Sequence, residues 1–186
     1  SKLYDNGVSV ALVGASNVGK SSLLNSILVE ERAIVTDVAG TTRDVVEGSK
    51  VLSGIRYIFR DTAGLRETSD AVETVGIQRS QLWLDKSDIV LYIFDDVKQV
   101  QPLLKVKKPH WFYVLNKIDL IFPEQRLSDV QSDIDDVSRQ HGFDCTVSAR
   151  YNFGIVHLSN LLETFIRNQY SIQKSVQMSV HVNQRQ

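Results

Sequence analysis

Eight consecutive residues restrict this chain more than any others: Gly14-Ala15-Ser16-Asn17-Val18-Gly19-Lys20-Ser21. They fit G-x-x-x-x-G-K-[ST], a loop that works only between a strand and a helix. The flanks supply both. Val8 to Val13 is β-branched and apolar, reading as a buried strand, and Gly19 to Leu28 places Leu23, Leu24, Ile27 and Leu28 along one side of a helix. Glycines let such a loop curl so that successive N–H groups point inward, and the helix N-terminus adds partial positive charge. The expected ligand is a polyphosphate held by Asn17, Val18, Gly19, Lys20, Ser21 and Ser22. Lys20 reaches the β- and γ-phosphates, and the Ser21 hydroxyl ligates Mg²⁺.

Two further motifs refine the ligand. Asp61-Thr62-Ala63-Gly64 ends a second apolar strand, where Asp61 can hold the Mg²⁺ water shell and Gly64 can offer its N–H to a γ-phosphate. Asn116-Lys117-Ile118-Asp119 follows another strand, and the Asp119 carboxylate can accept hydrogen bonds from guanine N1–H and N2–H₂. Adenine lacks both donors and would leave that carboxylate desolvated and unpaired. Ser148-Ala149 follows the last strand, where the Ala149 N–H can meet guanine O6. The expected substrate is therefore GTP, with GDP as product.

The remaining pattern gives the frame for these loops. Val45 to Leu52 and Ile55 to Asp61 flank Ser53-Gly54 and predict a hairpin. A helix is expected from about Glu73 to Leu84. Ile89 to Phe94, Trp111 to Leu115 and Asp144 to Val147 read as further strands, the longer two being compact apolar runs of the kind a two-sided parallel sheet buries. Leu127, Val130, Ile134 and Val137 predict a helix bounded by Gly142, and Leu158, Leu161, Leu162, Phe165 and Ile166 a final amphipathic one. The expected fold is a three-layer α/β P-loop NTPase, with a six-stranded, mostly parallel sheet and one antiparallel edge strand. Residues 1–170 form the nucleotide-binding domain, and 171–186 are a polar tail without a core pattern.

Composition excludes other readings. With 21 Lys+Arg against 22 Asp+Glu, the formal net charge is −1, which argues against an overall electrostatic grip on nucleic acid or membrane. Cys145 is the sole cysteine, so there is no intrachain disulfide, and a reducing cytoplasm is expected. The four histidines lack ligand-like spacing. No apolar run approaches the roughly 20 residues of a membrane helix, and the first residues, Ser1-Lys2-Leu3-Tyr4-Asp5, are not a signal peptide. The missing initiator Met hints at a processed or excised start. Lys105, Lys107 and Lys108 read as a solvated loop; Asp129, Asp133, Asp135 and Asp136 as the wet side of a helix; Trp111, Phe112 and Tyr113 as core and flank; and Cys145 as a small apolar residue.

The motif order resembles the P-loop GTPase superfamily across residues 8 to 170. Many signalling members carry Gln after D-x-x-G to orient water, whereas Leu65 stands here and cannot hydrogen-bond through its side chain. The stretches 36–44 (TDVAGTTRD), 61–68 (DTAGLRET) and 73–80 (ETVGIQRS) resemble the tRNA-modification GTPase family MnmE, also called TrmE. That resemblance implies Thr42 on Mg²⁺, and a K⁺ held by Asn17 with the backbone carbonyls of Thr36 and Val38. It also implies Glu73 as the carboxylate orienting water, in a catalytic set with Lys20, Thr41 and Gly64. Asn17 shaping the loop alone and Glu73 complementing a helix dipole are the alternatives; Arg43 and Arg66 reach phosphate or partner, or remain solvated. The family further implies a K⁺-dependent G-domain homodimer, a flavoprotein partner of MnmG type, and modification of the tRNA wobble uridine. Folate would enter only through a domain absent here, and 171–186 lie where the chain would re-enter a helical domain. The alternative is a ribosome-assembly GTPase domain similar to Era or Der, acting as an RNA-binding switch.

Overall fold

Ser53 and Gly54 take φ of +48° and +80°, the left-handed pair that a two-residue hairpin requires. They turn strand β2 (Glu47–Leu52) back along β3 (Ile55–Asp61), with Leu52 opposite Ile55. In the computed structural model this is the antiparallel edge of a six-stranded sheet ordered β2-β3-β1-β4-β5-β6. Strands β1 (Val8–Val13), β4 (Ile89–Phe94), β5 (Trp111–Leu115) and β6 (Cys145–Thr146) continue it, and every pairing other than β2 with β3 is parallel. The structure describes residues 6–29, 47–61, 84, 86–123 and 125–183, excluding the side chains of Glu47 and of 172–183.

The central strands are apolar nearly throughout because both sheet faces are covered. Alternation along β4 and β5 assigns the two cores. Ile89, Leu91 and Ile93 join Phe112 and Val114 in one cluster, together with Val8, Val10 and Leu12 of β1. The same cluster takes Leu23, Leu24 and Ile27 of helix α1 (Lys20–Val29), and Ile155, Leu158, Leu162 and Ile166 of helix α3 (Ile155–Asn183). Phe94, Tyr113 and Leu115 point the other way, into a cluster with Val100, Leu127, Phe143 and Ile134 of helix α2 (Gln131–His141). Since successive strand side chains face opposite sides, the result is the expected three layers.

The second core is rich in aromatic rings. Tyr92 and Phe94 meet Tyr113 edge-on, with centroids 5.7 and 5.8 Å away. The Tyr113 hydroxyl donates to the Leu103 carbonyl at 2.7 Å, and burial pushes its phenol up to about 12. Leu103 belongs to a run of 3-10 turns, Val97–Val106, that the sequence pattern did not announce. It starts where the Asp96 carboxylate accepts from the Lys98 N–H at 2.9 Å.

The basic cluster needs refinement: Lys105 lies in the 3-10 run, and Lys107 and Lys108 lie in an exposed loop as expected but have partners there. Lys107 pairs with Asp144 at 2.6 Å and sits 4.8 Å from the Tyr113 ring, while Lys108 lies 5.0 Å from Trp111. The final helix, to which the sequence pattern assigned no end, continues along its backbone to Asn183, about 43 Å in all. Other readings hold: Asp129, Asp133, Asp135 and Asp136 are exposed, Phe112 and Tyr113 are buried, Trp111 is half-buried, and Cys145 is buried. Among the described residues no helix is long and apolar enough to cross a membrane.

Burial pushes the Cys145 thiol up to about 12, against about 8.5 when unfolded. The unfolded state alone therefore ionises in the intervening range, and this group removes stability as pH rises from there. Iodoacetamide at pH 8.5 is expected to leave the native thiol unmodified and to alkylate it rapidly in urea. Fast native alkylation would contradict this burial.

Candidate nucleotide-binding site

The loops that follow the carboxyl ends of β1, β4, β5 and β6 converge at one edge of the sheet, where open α/β folds bind ligands. The phosphate-type loop leaves β1 at Gly14. A Cβ there would lie 2.5 Å from the Ile93 carbonyl of β4, so only glycine lets the loop run flush against the neighbouring strand. Asn17 adopts φ of +69°, a left-handed conformation that Asn tolerates better than most residues. Gly19 takes φ of +91°, and a side chain on it would collide with Asn116 Nδ2. Helix α1 then begins at Lys20, whose ammonium is buried and donates to the carbonyls of Gly14 (2.9 Å) and Ala15 (2.7 Å). The loop is thus curled around its own cation, with a helix N-terminus behind it. Ser21 and Ser22 are exposed in the first turn.

Asp61 ends β3 at 4% exposure, opposite Leu12 of β1, which places it beside the strand that feeds this loop. Its carboxylate and the Ser21 hydroxyl are hard oxygen donors of the kind Mg²⁺ takes.

The second group of loops is tied directly to the first. Asn116, at 2% exposure, donates its backbone N–H to Phe94 at 2.7 Å and its side-chain Nδ2 to the Val18 carbonyl at 2.9 Å. Its Oδ1 accepts from the Ala149 N–H at 3.1 Å. Lys117, at φ of +61°, donates its ammonium to the Asn17 carbonyl and to Asp95 Oδ2 at 2.9 Å. Asp119 Oδ1 accepts from the fully buried Ser148 hydroxyl at 2.6 Å, which holds the carboxylate in one orientation. Ser148 is itself fixed by reciprocal backbone bonds with Phe153, both 3.0 Å.

Asn17, Val18, Gly19, Lys20, Ser21, Ser22, Asp61, Asn116, Lys117, Asp119, Ser148 and Ala149 are therefore gathered at one edge by the fold. Thr36, Val38, Thr41, Thr42, Gly64 and Glu73 lie outside the described residues, as do Arg43, Leu65 and Arg66. Sequence reasoning missed Ser26, whose hydroxyl on α1 donates to the Ala149 carbonyl at 3.0 Å. It also missed Asp95. Their signal was positional only: Asp95 directly follows β4 at the ligand-binding edge, and Ser26 faces the last loop from the phosphate-binding helix. Beyond Asp119 a cavity of about 600 Å³ opens between Phe122, Arg126, Arg150 and Tyr151.

A Gly-rich strand-to-helix loop pinned to an N-K-x-D loop at the carboxyl edge of such a sheet defines a P-loop GTP-binding domain. The family described as 50S ribosome-binding GTPase matches residues 9–117, more than half the chain. The chain belongs to that family and is a GTPase domain.

Its relatives include the tRNA modification GTPase MnmE of Flavobacterium johnsoniae, 38% identical over 172 residues, covering 87% of this chain and 36% of the relative. MnmE of Mycoplasma mobile is 49% identical over 123 residues, covering 62% and 27%. The chain spans about a third of the length of the curated relatives it matches. Among solved structures, an Era variant of Aquifex aeolicus bound to GDP and AlF4⁻ is 30% identical with a TM-score of 0.53, covering 87% of this chain and 56% of that one. The G domain of Thermotoga maritima FeoB, at 24% identity and a TM-score of 0.56 over 86% and 98% of the two chains, shares the fold.

If Asp119 reads the base as the sequence leads one to expect, replacing it by Asn leaves one acceptor for the two guanine donors and adds an N–H that suits the carbonyl of xanthine. Asp119→Asn is expected to weaken GDP binding at least about 100-fold and to gain xanthosine diphosphate binding, measured by calorimetry. Unchanged GDP affinity would remove Asp119 from base recognition.

Proposed function

We propose that this chain is the G domain of a tRNA-modification GTPase of MnmE type, hydrolysing GTP with K⁺ assistance and associating through its nucleotide face as it does so. The observation that supports this most is identity of 38% over 172 residues to an MnmE sequence, much of the present chain. The geometry is compatible with it. Asn17 stands in the phosphate loop with its backbone carbonyl held by Lys117, so its side chain is presented from a fixed peptide.

In this reading Lys20 neutralises the β- and γ-phosphates, Ser21, Asp61 and Thr42 hold Mg²⁺, and Asn17 joins the carbonyls of Thr36 and Val38 on K⁺. Mg²⁺ held by these groups would neutralise phosphate charge, and K⁺ would add positive charge of the kind an arginine finger supplies in other GTPases. The Gly64 N–H meets the γ-phosphate, Thr41 completes the catalytic set, and Glu73 orients water where Leu65 cannot. In the longer protein the partners are an MnmG-type flavoprotein and tRNA, and 171–186 lead into a helical domain, with folate bound elsewhere. The setting is cytoplasmic.

A second reading, an RNA-gated switch of Era type, draws on the family description and on Era structures at 29 and 30% identity. It expects this domain to bind ribosomal RNA in a nucleotide-dependent way. Hydrolysis in KCl against NaCl decides the first reading: a rise of about tenfold or more in KCl is expected, accompanied by dimer formation with GDP and AlF4⁻. Glu73→Ala is expected to lower kcat at least about 100-fold with GDP affinity retained. Equal rates in both salts would remove the cation mechanism, and a fast Glu73→Ala variant would remove the catalytic assignment.

A further inference from the structure

Lys117 ends in a flexible four-carbon stem, and a lysine of that kind wanders unless its ammonium is anchored at both ends of its reach. Here it has two acceptors on different elements. One is the neutral Asn17 carbonyl in the phosphate loop; the other is the carboxylate of Asp95, 2.9 Å away. The pair is half-buried, with 32% and 28% of the two side chains exposed. We infer that Asp95, outside every nucleotide-binding motif of the chain, is a positioning residue that locks the N-K-x-D loop onto the phosphate loop and thereby sets how long a guanine nucleotide stays bound.

The sheet itself places the carboxylate. Asp95 is the first residue after β4, and Lys117 is the second after β5. Phe94 and Leu115 are register partners, and the Phe94 carbonyl accepts from the Asn116 N–H at 2.7 Å. Asp95 is therefore held beside Lys117 by parallel pairing, before any nucleotide arrives. Both bonds have an ionised donor and are charge-assisted, but only the Asp95 bond also joins opposite charges, and solvent at its rim moderates that attraction. Gln99 Nε2 approaches Asp95 Oδ1 only at 3.5 Å, so Lys117 is its dominant partner.

Lys117 joins the two loops that hold the two ends of a nucleotide. Loosening its ammonium lets the phosphate and base sites move independently, which speeds release without altering the reacting atoms. The neighbouring acid is different: Asp96 accepts from the Lys98 N–H and starts the 3-10 run. That makes Asp96→Asn a control of matched charge change. The inference requires guanine-nucleotide binding alone and is independent of any K⁺ mechanism.

The test follows release of fluorescent methylanthraniloyl-GDP from the full chain. Asp95→Asn is expected to speed release about tenfold and raise the KM for GTP, while kcat moves less than twofold. Asp96→Asn stays within twofold of wild type in release, and Asp95→Glu recovers part of the slow release. In a Lys117→Met background, Asp95→Asn is expected to add less than twofold, because its partner is already gone. Release within twofold of wild type in Asp95→Asn would overturn the inference. So would the same acceleration in the Lys117→Met background, or an equal acceleration by Asp96→Asn. Should Asp95→Asn fail to fold, Asp95→Glu carries the test: release as slow as wild type in the Lys117→Met background would overturn it too.

Discussion

The side-chain amide of Asn116 is the joint on which the nucleotide-binding edge depends. One amide donates to Val18 in the phosphate loop and accepts from Ala149 in the last loop, while the same residue's backbone N–H bonds to Phe94 at the end of β4. Four chain segments that are remote in sequence are thereby held within hydrogen-bond reach of one another. At 2% exposure, each of these bonds is sheltered from competing water, and removing the amide would leave buried partners unsatisfied. Gly19 is part of the same joint, since any side chain there would occupy the space of Asn116 Nδ2.

Around this joint the polar groups act in pairs of fixed and functional members. Ser148 orients Asp119, Asp95 orients Lys117, and Ser26 anchors the Ala149 peptide. Each anchor comes from an element that the sheet or a helix already holds still. The result is a site whose recognition groups are arranged in advance, which keeps down the ordering cost of binding.

Much of the frame was legible because parallel strands buried on both faces need continuous apolar runs. Val8 to Val13, Ile89 to Phe94 and Trp111 to Leu115 could therefore be bounded to the residue. The Ser53-Gly54 turn was legible because few residue pairs accept positive φ together. Less visible were elements without a period of their own. The run Val97–Val106 is held by Asp96, by the Tyr113 hydroxyl and by burial of Val100 against the second core. Of these only the Asp96 cap is local in sequence; the tyrosine and core contacts come from elsewhere in the fold. Lys107 and Lys108 do face solvent, but their partners, Asp144 and the rings of Tyr113 and Trp111, come from later in the chain and were not legible. Past residue 170, Ile172, Val176 and Val180 do recur every four residues, but they stand in an otherwise polar run that reads as a tail, although the backbone continues helical to Asn183.

By itself, the sequence determined the fold class, the phosphate loop and the guanine-type preference. Each of these depends on residue types at close spacing: glycines beside a lysine, and a carboxylate two residues past Lys117. Tertiary structure alone decided how the loops are joined. Asn116 reaches Val18 across 98 residues, and Lys117 reaches Asn17 across 100. The reason is geometric: a side chain's chemistry is local, whereas its hydrogen-bond partner is selected by the order in which strands pair.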